Sequence, residues 1–370
     1  RGQYQRERMV MAAKTYLTHE DISKWLESMR SQAKVLVPAL VDRAVKFVPY
    51  DSETQVDLKN QATAPPKEAV FPQTETLLKY RYQKDSEQPE TQSLEVKEDV
   101  PEDKVVVFGA RPCGTRGFVI YDRVFTSDTI TDPYYKARRA NTAFITIACD
   151  KAENTCFCHW VGSHPADSEG SDIMLFPVQG GYLAQPVTDR GEQLIKQAGG
   201  TKASGEQEKE AETIQARVRE ELGEAPDMSD VPASLLQIFD NLDFWNDVSA
   251  KCISCGACTY LCPTCYCFNI TDEAYGLAGK RIRTWDNCMS YLFTLEGSGH
   301  NPRMTKAHRL RNRVGHKFSY YPELHGGVFA CCGCGRCIKH CPMAVDIREI
   351  VLRAKETAKE TADDKQSVSA

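Results

Sequence analysis

The 370-residue chain predicts an α+β fold, an N-terminal α/β domain followed by a mostly helical, cysteine-rich C-terminal domain. Three observations predict it. Two continuous apolar runs, KVVVFG at 104–109 and TAFITIACD at 142–150, have the mark of strands buried on both faces of a sheet. The stretch GGTKASGEQEKEAETIQARVREELGEAPDMSD, from 199 to about 231, is charged and poor in large apolar residues, as a partly helical linker is. Beyond it, cysteines crowd into two short repeated motifs. The predicted division is therefore an N-terminal domain over 1–200, a linker over 201–232 and a C-terminal domain over 233–370.

In chain order, Thr18 is placed to cap a helix over about 19–33, with Asp21 in its first turn. AKVLVPALVD and VKFVPYD follow as short strands. The region 51–103 carries little regular signal, and TAPPKEAVFPQTETLL reads as an extended segment leading into a helix. KVVVFG ends in the loop ARPCGTRG, after which a helix runs through Phe118 to Phe125. Cys113 and Cys149 both fall at the C-terminal ends of predicted strands, where open α/β sheets collect ligands. IMLFPVQGGYLAQPV reads as a hairpin turning at Gly180-Gly181, and the tail after 358 is polar and expected to fray.

Composition narrows the function. Hydrophobic residues make up 41% and charged residues 26%, ordinary values for a soluble globular protein. A net charge of −5, from 46 basic and 51 acidic residues, points to neither nucleic acid nor a membrane surface. No run of about 18 apolar residues exists to span a bilayer. The opening RGQYQRERMVMAAKTY is basic without the apolar core of a secretory signal, so the expected location is cytoplasmic. In that reducing compartment sixteen cysteines point to metal rather than disulfides.

Cys252-x2-Cys255-x2-Cys258-x3-Cys262-Pro263 is repeated as Cys331-x2-Cys334-x2-Cys337-x3-Cys341-Pro342. Both copies have the bacterial ferredoxin spacing, in which three cysteines hold one [4Fe–4S] cube and the fourth holds the other. A tight CxxCxxC loop wraps three corners of a cube, and the chain then leaves too far away to close it. The crossed assignment puts Cys252, Cys255, Cys258 and Cys341 on one cube. Cys331, Cys334, Cys337 and Cys262 then hold the second. Structural zinc pairs two CxxC knuckles and has no use for such a triplet. Cys113, Cys149, Cys156 and Cys158 form a further quartet in the N-terminal half that suits a third cube; the alternative is four inert buried thiols.

VFGARPCGTRGFVIYDRVF, ACDKAENTCFC, CPTCYCFNITDE, RIRTWDNC, HNPR, HKFSYYPE and CCGCGRCIKHCP together resemble the beta subunit of cytoplasmic sulfhydrogenases and the A subunit of anaerobic sulfite reductases, from about residue 20 to 355. The resemblance implies a multi-cluster electron conduit. It implies a flavin- and NAD(P)-binding reductase subunit on one side and a catalytic hydrogenase or sulfite reductase subunit on the other. No flavin motif is visible in this chain. Cys332 departs from the family, which usually has an apolar residue there.

Cys265, Cys267, Cys288 and Cys332 are left over, equal in number to one more cluster. In the alternative reading Cys265, Cys267 and Cys288 pack around the second cube and donate weak S–H bonds to its sulfurs. The acid-free segment PRMTKAHRLRNRVGHK offers Arg303, Arg309 and Arg313 as cations to face anionic clusters or an acidic partner, against the plain alternative of a solvated face. No independent catalytic constellation stands out. The sequence thus predicts an iron–sulfur electron-transfer subunit, with a catalytic iron–sulfur subunit reducing a disulfide or sulfur substrate as the alternative.

Overall fold

The computed structural model describes residues 14–84, 87 and 92–368. Its larger sheet has eight strands in the order β10-β1-β9-β8-β7-β6-β2-β3. The strands are β1 (Thr15–Thr18), β2 (Lys34–Val41), β3 (Ala44–Pro49), β6 (Val105–Ala110), β7 (Thr142–Ile147), β8 (Ile173–Val178), β9 (Gly181–Pro186) and β10 (Thr201–Lys202). The central pairs β2/β6, β6/β7 and β7/β8 are parallel, and the flanking pairs are antiparallel. The two-residue period of a strand explains the continuous apolar runs. Val106, Phe108, Ala143, Ile145 and Ile147 face the helix His19–Arg30 through Trp25, Leu26 and Met29, whereas Val107, Ala110 and Phe144 face Phe118, Tyr121 and Phe125 of the helix Pro112–Phe125. Thr18 and Asp21 close a capping box on the first of these helices, which stops at Arg30.

The region 51–103 departs from the reading of its sequence. After a short turn at Pro66–Ala69, no helix forms. TETLLKYRYQK is instead the strand β4 (Thr74–Lys84), paired with β5 (Gln92–Glu98). These two join the hairpin β11 (Phe268–Tyr275) and β12 (Ala278–Trp285) in a second, antiparallel sheet ordered β11-β12-β4-β5. Arg283 on β12 reaches Glu75 on β4 at 2.6 Å with both side chains buried, which pins the two halves of the chain together.

The charged segment 201–232 begins with β10 pairing to β1, then forms the helix Gly205–Leu222, capped by Ser204 and Gln207. Its own Ala211 and Val218 are buried. The C-terminal part is largely helical. Val231–Gln237, Leu242–Ser249, Lys306–Gly315 and Ile347–Val368 enclose a core of Trp245, Val314, Phe318, Val351 and Ala354, which Phe157 and Val161 enter from the N-terminal half. The tail expected to fray after 358 continues as this last helix. Among the described residues no helix is long and apolar enough to cross a membrane.

Candidate metal centre

The two CxxCxxC motifs fold as copies of one loop. Ser254 and Gly333 occupy the same place in each and have φ of 57° and 60°; Gly256 and Gly335 follow with 77° and 72°. Left-handed backbone at these positions curls the chain so that successive cysteines face inward. In each copy the N–H of the residue two on, Ser254 or Gly333, donates to the first sulfur, Cys252 Sγ or Cys331 Sγ, at 3.4 Å. A one-turn helix then leads to the fourth cysteine, Ala257–Tyr260 before Cys262 and Arg336–Lys339 before Cys341. These two turns pack on each other, which carries each fourth cysteine toward the other loop.

Two cavities result. One, lined mostly by apolar atoms, is bordered by Cys252, Cys255, Cys258 and Cys341, with Cys337 also on its wall. The other, smaller, is bordered by Cys262, Cys331, Cys334 and Cys337, with Cys332 on its wall. Each cavity meets the triplet of one motif and the last cysteine of the other, and Cys337 lines both. Among the described residues no three His, Cys, Asp or Glu side chains converge at single-ion distance. Cys255 is the exposed member, with Ile253 and Met343 also exposed nearby.

Buried cations face the sulfurs. Arg313, 3% exposed, borders both cavities and donates to the Cys258 carbonyl at 2.7 Å and Cys265 Sγ at 3.5 Å. Lys317 donates to Cys262 Sγ at 3.4 Å, to Thr264 Oγ1 at 2.7 Å and to the Ala330 carbonyl at 2.9 Å. Burial opposes the charge on Lys317, but the Cys262 and Cys265 sulfurs outweigh it and hold the ammonium protonated. Among the described residues the fully buried carboxylates, Glu75 and Asp172, are engaged by Arg283 and Arg190. The sulfurs are what remains to balance Arg313 and Lys317. A dry interior retains unpaired charge only at high cost, so this arrangement fits anionic thiolate-bound clusters.

The basic segment therefore turns largely inward. Arg309 is also buried and reaches Ser254 Oγ at 3.4 Å and the carbonyls of Arg303 and Met304. Arg303 is half-buried and contributes that carbonyl.

The N-terminal quartet is drawn from three places. Cys113 lies in the first turn of the helix after β6, Cys149 follows β7, and Cys156 and Cys158 sit in the next loop. They are close enough to disfavour one another's ionisation. Burial first, then neighbouring sulfurs and other groups, raises Cys149 to about 12 and Cys156 to about 11, with Cys158 raised for the same reasons. The quartet packs directly against the second cysteine loop. Phe157 N–H donates to the Gly333 carbonyl at 2.8 Å, and Cys113 touches Cys332 and Cys334. The helix Gly205–Leu222 also reaches it, Gln215 Nε2 donating to the Cys149 carbonyl at 3.0 Å.

The four leftover cysteines are not gathered into one group. Cys332 donates to Cys334, and Cys265 donates to Cys262, each an S–H aimed at a sulfur of the smaller cavity. The Cys332 contact is the leading reason Cys334 is held down to about 6. Cys267 and Cys288 hydrogen-bond to each other instead. Sequence reasoning missed Gln61, Lys67 and Arg336. Lys67 is buried over the Trp285 ring at 3.8 Å and donates to the Cys265 carbonyl at 3.4 Å. Only Arg336 carried a signal, as a cation lodged inside a cysteine motif.

A family model described as a 4Fe-4S dicluster domain matches residues 251–345, the segment that holds both loops. Sulfhydrogenase 2 subunit beta of Pyrococcus furiosus is 27% identical over 349 residues, covering 92% of this chain and 98% of that protein. The chain is a homologue of a sulfhydrogenase beta subunit. The relationship covers the N-terminal quartet region as well as the dicluster segment. No solved structure matches.

Proposed function

We propose that this sulfhydrogenase-beta homologue is a cytoplasmic electron conduit, taking electrons from a flavin- and NAD(P)-binding reductase subunit and delivering them to a catalytic oxidoreductase subunit. Its homology and its 4Fe–4S domain make it an iron–sulfur electron-transfer subunit. The observation that supports the finer reading is the pair of cavities, each bordered by the three triplet cysteines of one motif and the last cysteine of the other, with Cys337 lining both. Cys252, Cys255, Cys258 and Cys341 would hold one cube, Cys262, Cys331, Cys334 and Cys337 a second, and Cys113, Cys149, Cys156 and Cys158 a third. Bound cubes supply reversible one-electron chemistry. The chain's own residues set the conditions for it. N–H and S–H donors and buried cations stabilise negative charge at the sulfurs, and the contact of Cys113 with Cys334 keeps two of the groups adjacent.

The division into domains at 1–200, 201–232 and 233–370 is proposed as one of function: a one-cluster unit, the helix that reaches it, and a two-cluster ferredoxin-like unit. The decisive experiment uses the full chain reconstituted anaerobically. It should bind about twelve irons, four per cube. It should accept electrons from a strong artificial reductant, and from a nicotinamide cofactor only after the flavoprotein partner is added. Nicotinamide oxidation by the chain alone would overturn the division of labour. Turnover of a disulfide or sulfur substrate by the chain alone would establish the catalytic alternative. Cys262→Ala should damage the cluster of the 331–337 triplet, and loss of the other cluster instead would refute the crossed assignment.

A further inference from the structure

The N-terminal quartet and the second cysteine loop meet at a polar seam. Arg336, 2% exposed, opens the one-turn helix after Gly335. Its Nε donates to the Ala62 carbonyl at 2.9 Å and its Nη1 to Cys113 Sγ at 3.7 Å, and Cys334, two residues before it and clustered with Cys113, is the second sulfur whose charge favours the guanidinium. Gln61 spans the same gap, with Nε2 3.6 Å from Cys113 Sγ and 3.4 Å from the Cys334 carbonyl. As for Arg313 and Lys317, the buried carboxylates are committed elsewhere, so sulfur on each side is what balances this cation. The Cys252–Cys258 loop has a different one, Arg313 on the Cys258 carbonyl.

Resting on the three-cluster reading, we propose that Arg336 is a positioning residue for electron transfer, a single guanidinium shared by Cys113 and Cys334 that stabilises the reduced state on both sides and ties the two potentials together. An electron added to one anionic group raises the cost of adding one to its neighbour, and the repulsion is strong where little solvent screens it. One cation between them offsets that cost for both. A salt-bridging arginine would serve one partner only; this one serves two that belong to different halves of the chain.

The test compares anaerobically reconstituted full-length chain with Arg336→Gln and Arg336→Lys, by iron analysis and by redox titration followed with electron paramagnetic resonance. Cys113→Ala identifies the N-terminal signal by its loss. Arg336→Gln should keep its iron and shift both the N-terminal and the 331–337 midpoints negative. At a fixed potential their reduced-to-oxidised ratios should fall about tenfold, equivalent to 59 mV for one electron. The signal of the 252–258 cluster should stay in place. Arg336→Lys keeps the charge and should hold both midpoints near wild type. Full iron with unmoved midpoints in Arg336→Gln, or a shift confined to one signal, would overturn the proposal. If the glutamine variant fails to load, a tenfold change in Arg336→Lys overturns it and unchanged midpoints support it. A wild-type chain with about eight irons, and no signal lost in Cys113→Ala, would remove the N-terminal cluster itself. That outcome sinks the three-cluster reading and this proposal with it, whereas the midpoint results at full iron bear on Arg336 alone.

Discussion

Cys332 poses the question of a thiol beside a ligand sulfur at the scale of one residue. It is 1% exposed and donates to Cys334, so it stabilises negative charge on that sulfur. Hydrogen bonds to cluster sulfurs raise the reduction potential. Cys332→Ala should therefore leave iron content unchanged and shift the midpoint of the 331–337 cluster negative in a potentiometric titration. Loss of iron would instead make Cys332 a ligand. His316 bears on pH in a similar local way. Burial, with Lys317 and Arg313 adding to it, brings its pKa from the ordinary 6.5 down to about 4, and the neutral ring bonds Tyr266 Oη at 3.0 Å. The unfolded chain binds this proton more readily, so the stabilising contribution is complete above pH 6.5 and is lost progressively as pH falls toward 4. At pH 5 the loss should be about 2 kcal/mol. Thermal unfolding of the loaded protein at pH 7 and pH 5 should show a smaller drop in His316→Asn than in wild type.

At the scale of elements, the contact between the quartet loop and the second cysteine loop depends on two glycines. A Cβ on Gly335 would run into the backbone of Thr155, and one on Gly333 into the backbone of Phe157 and Cys158; both residues also have positive φ. Gly276, at the tip of the β11–β12 hairpin, has φ of 59° but open space around it. Gly276→Ala should cost about 1 kcal/mol, the price of the backbone conformation alone. Gly335→Ala should cost at least 2 kcal/mol more, since backbone must move. Thermal melts of the reconstituted variants separate the two, and equal losses would mean that the seam is not tightly packed. The same scale explains what was legible in the sequence. β6 and β7 stood out because both their faces are buried. β4 and β11 did not, because much of their surface is exposed and charged and they are joined through β12, about two hundred residues from β4. The paired cysteine loops were legible because their spacing is local chemistry. Gln61 and Lys67 were not, because nothing near them in sequence signals sulfurs that only the fold brings close.

Over the whole molecule, the cysteine groups form a row rather than a cage. The quartet touches the second loop through Cys113, and the second loop is packed on the first through the two one-turn helices. The second sheet takes strands from both halves, so the row cannot be pulled apart without opening β4 from β12. Arg283 strengthens that joint by pairing with Glu75 and Asp132 while buried. Arg283→Met leaves Glu75 buried and loses its closest partner, a change expected to cost about 3–5 kcal/mol. Its signature should be cooperative loss of all visible absorption on mild heating, not the stepwise loss expected if the two halves unfolded independently.

Cys255 lies at the outer end of that row, and its exposure has a further consequence. A cubane corner within reach of solvent is also within reach of oxygen and peroxide, which attack accessible thiolate and iron before buried ones. Corrosion in air should then run in a fixed order, beginning at the 252–258 corner and reaching the cysteines sealed behind Arg313 and Arg336 last. A sample exposed briefly to air should lose the 252–258 signal first while the others persist. The rim of Ile253 and Met343 around that corner would gain a protective role once covered: whatever docks there to exchange electrons would also keep oxidants out.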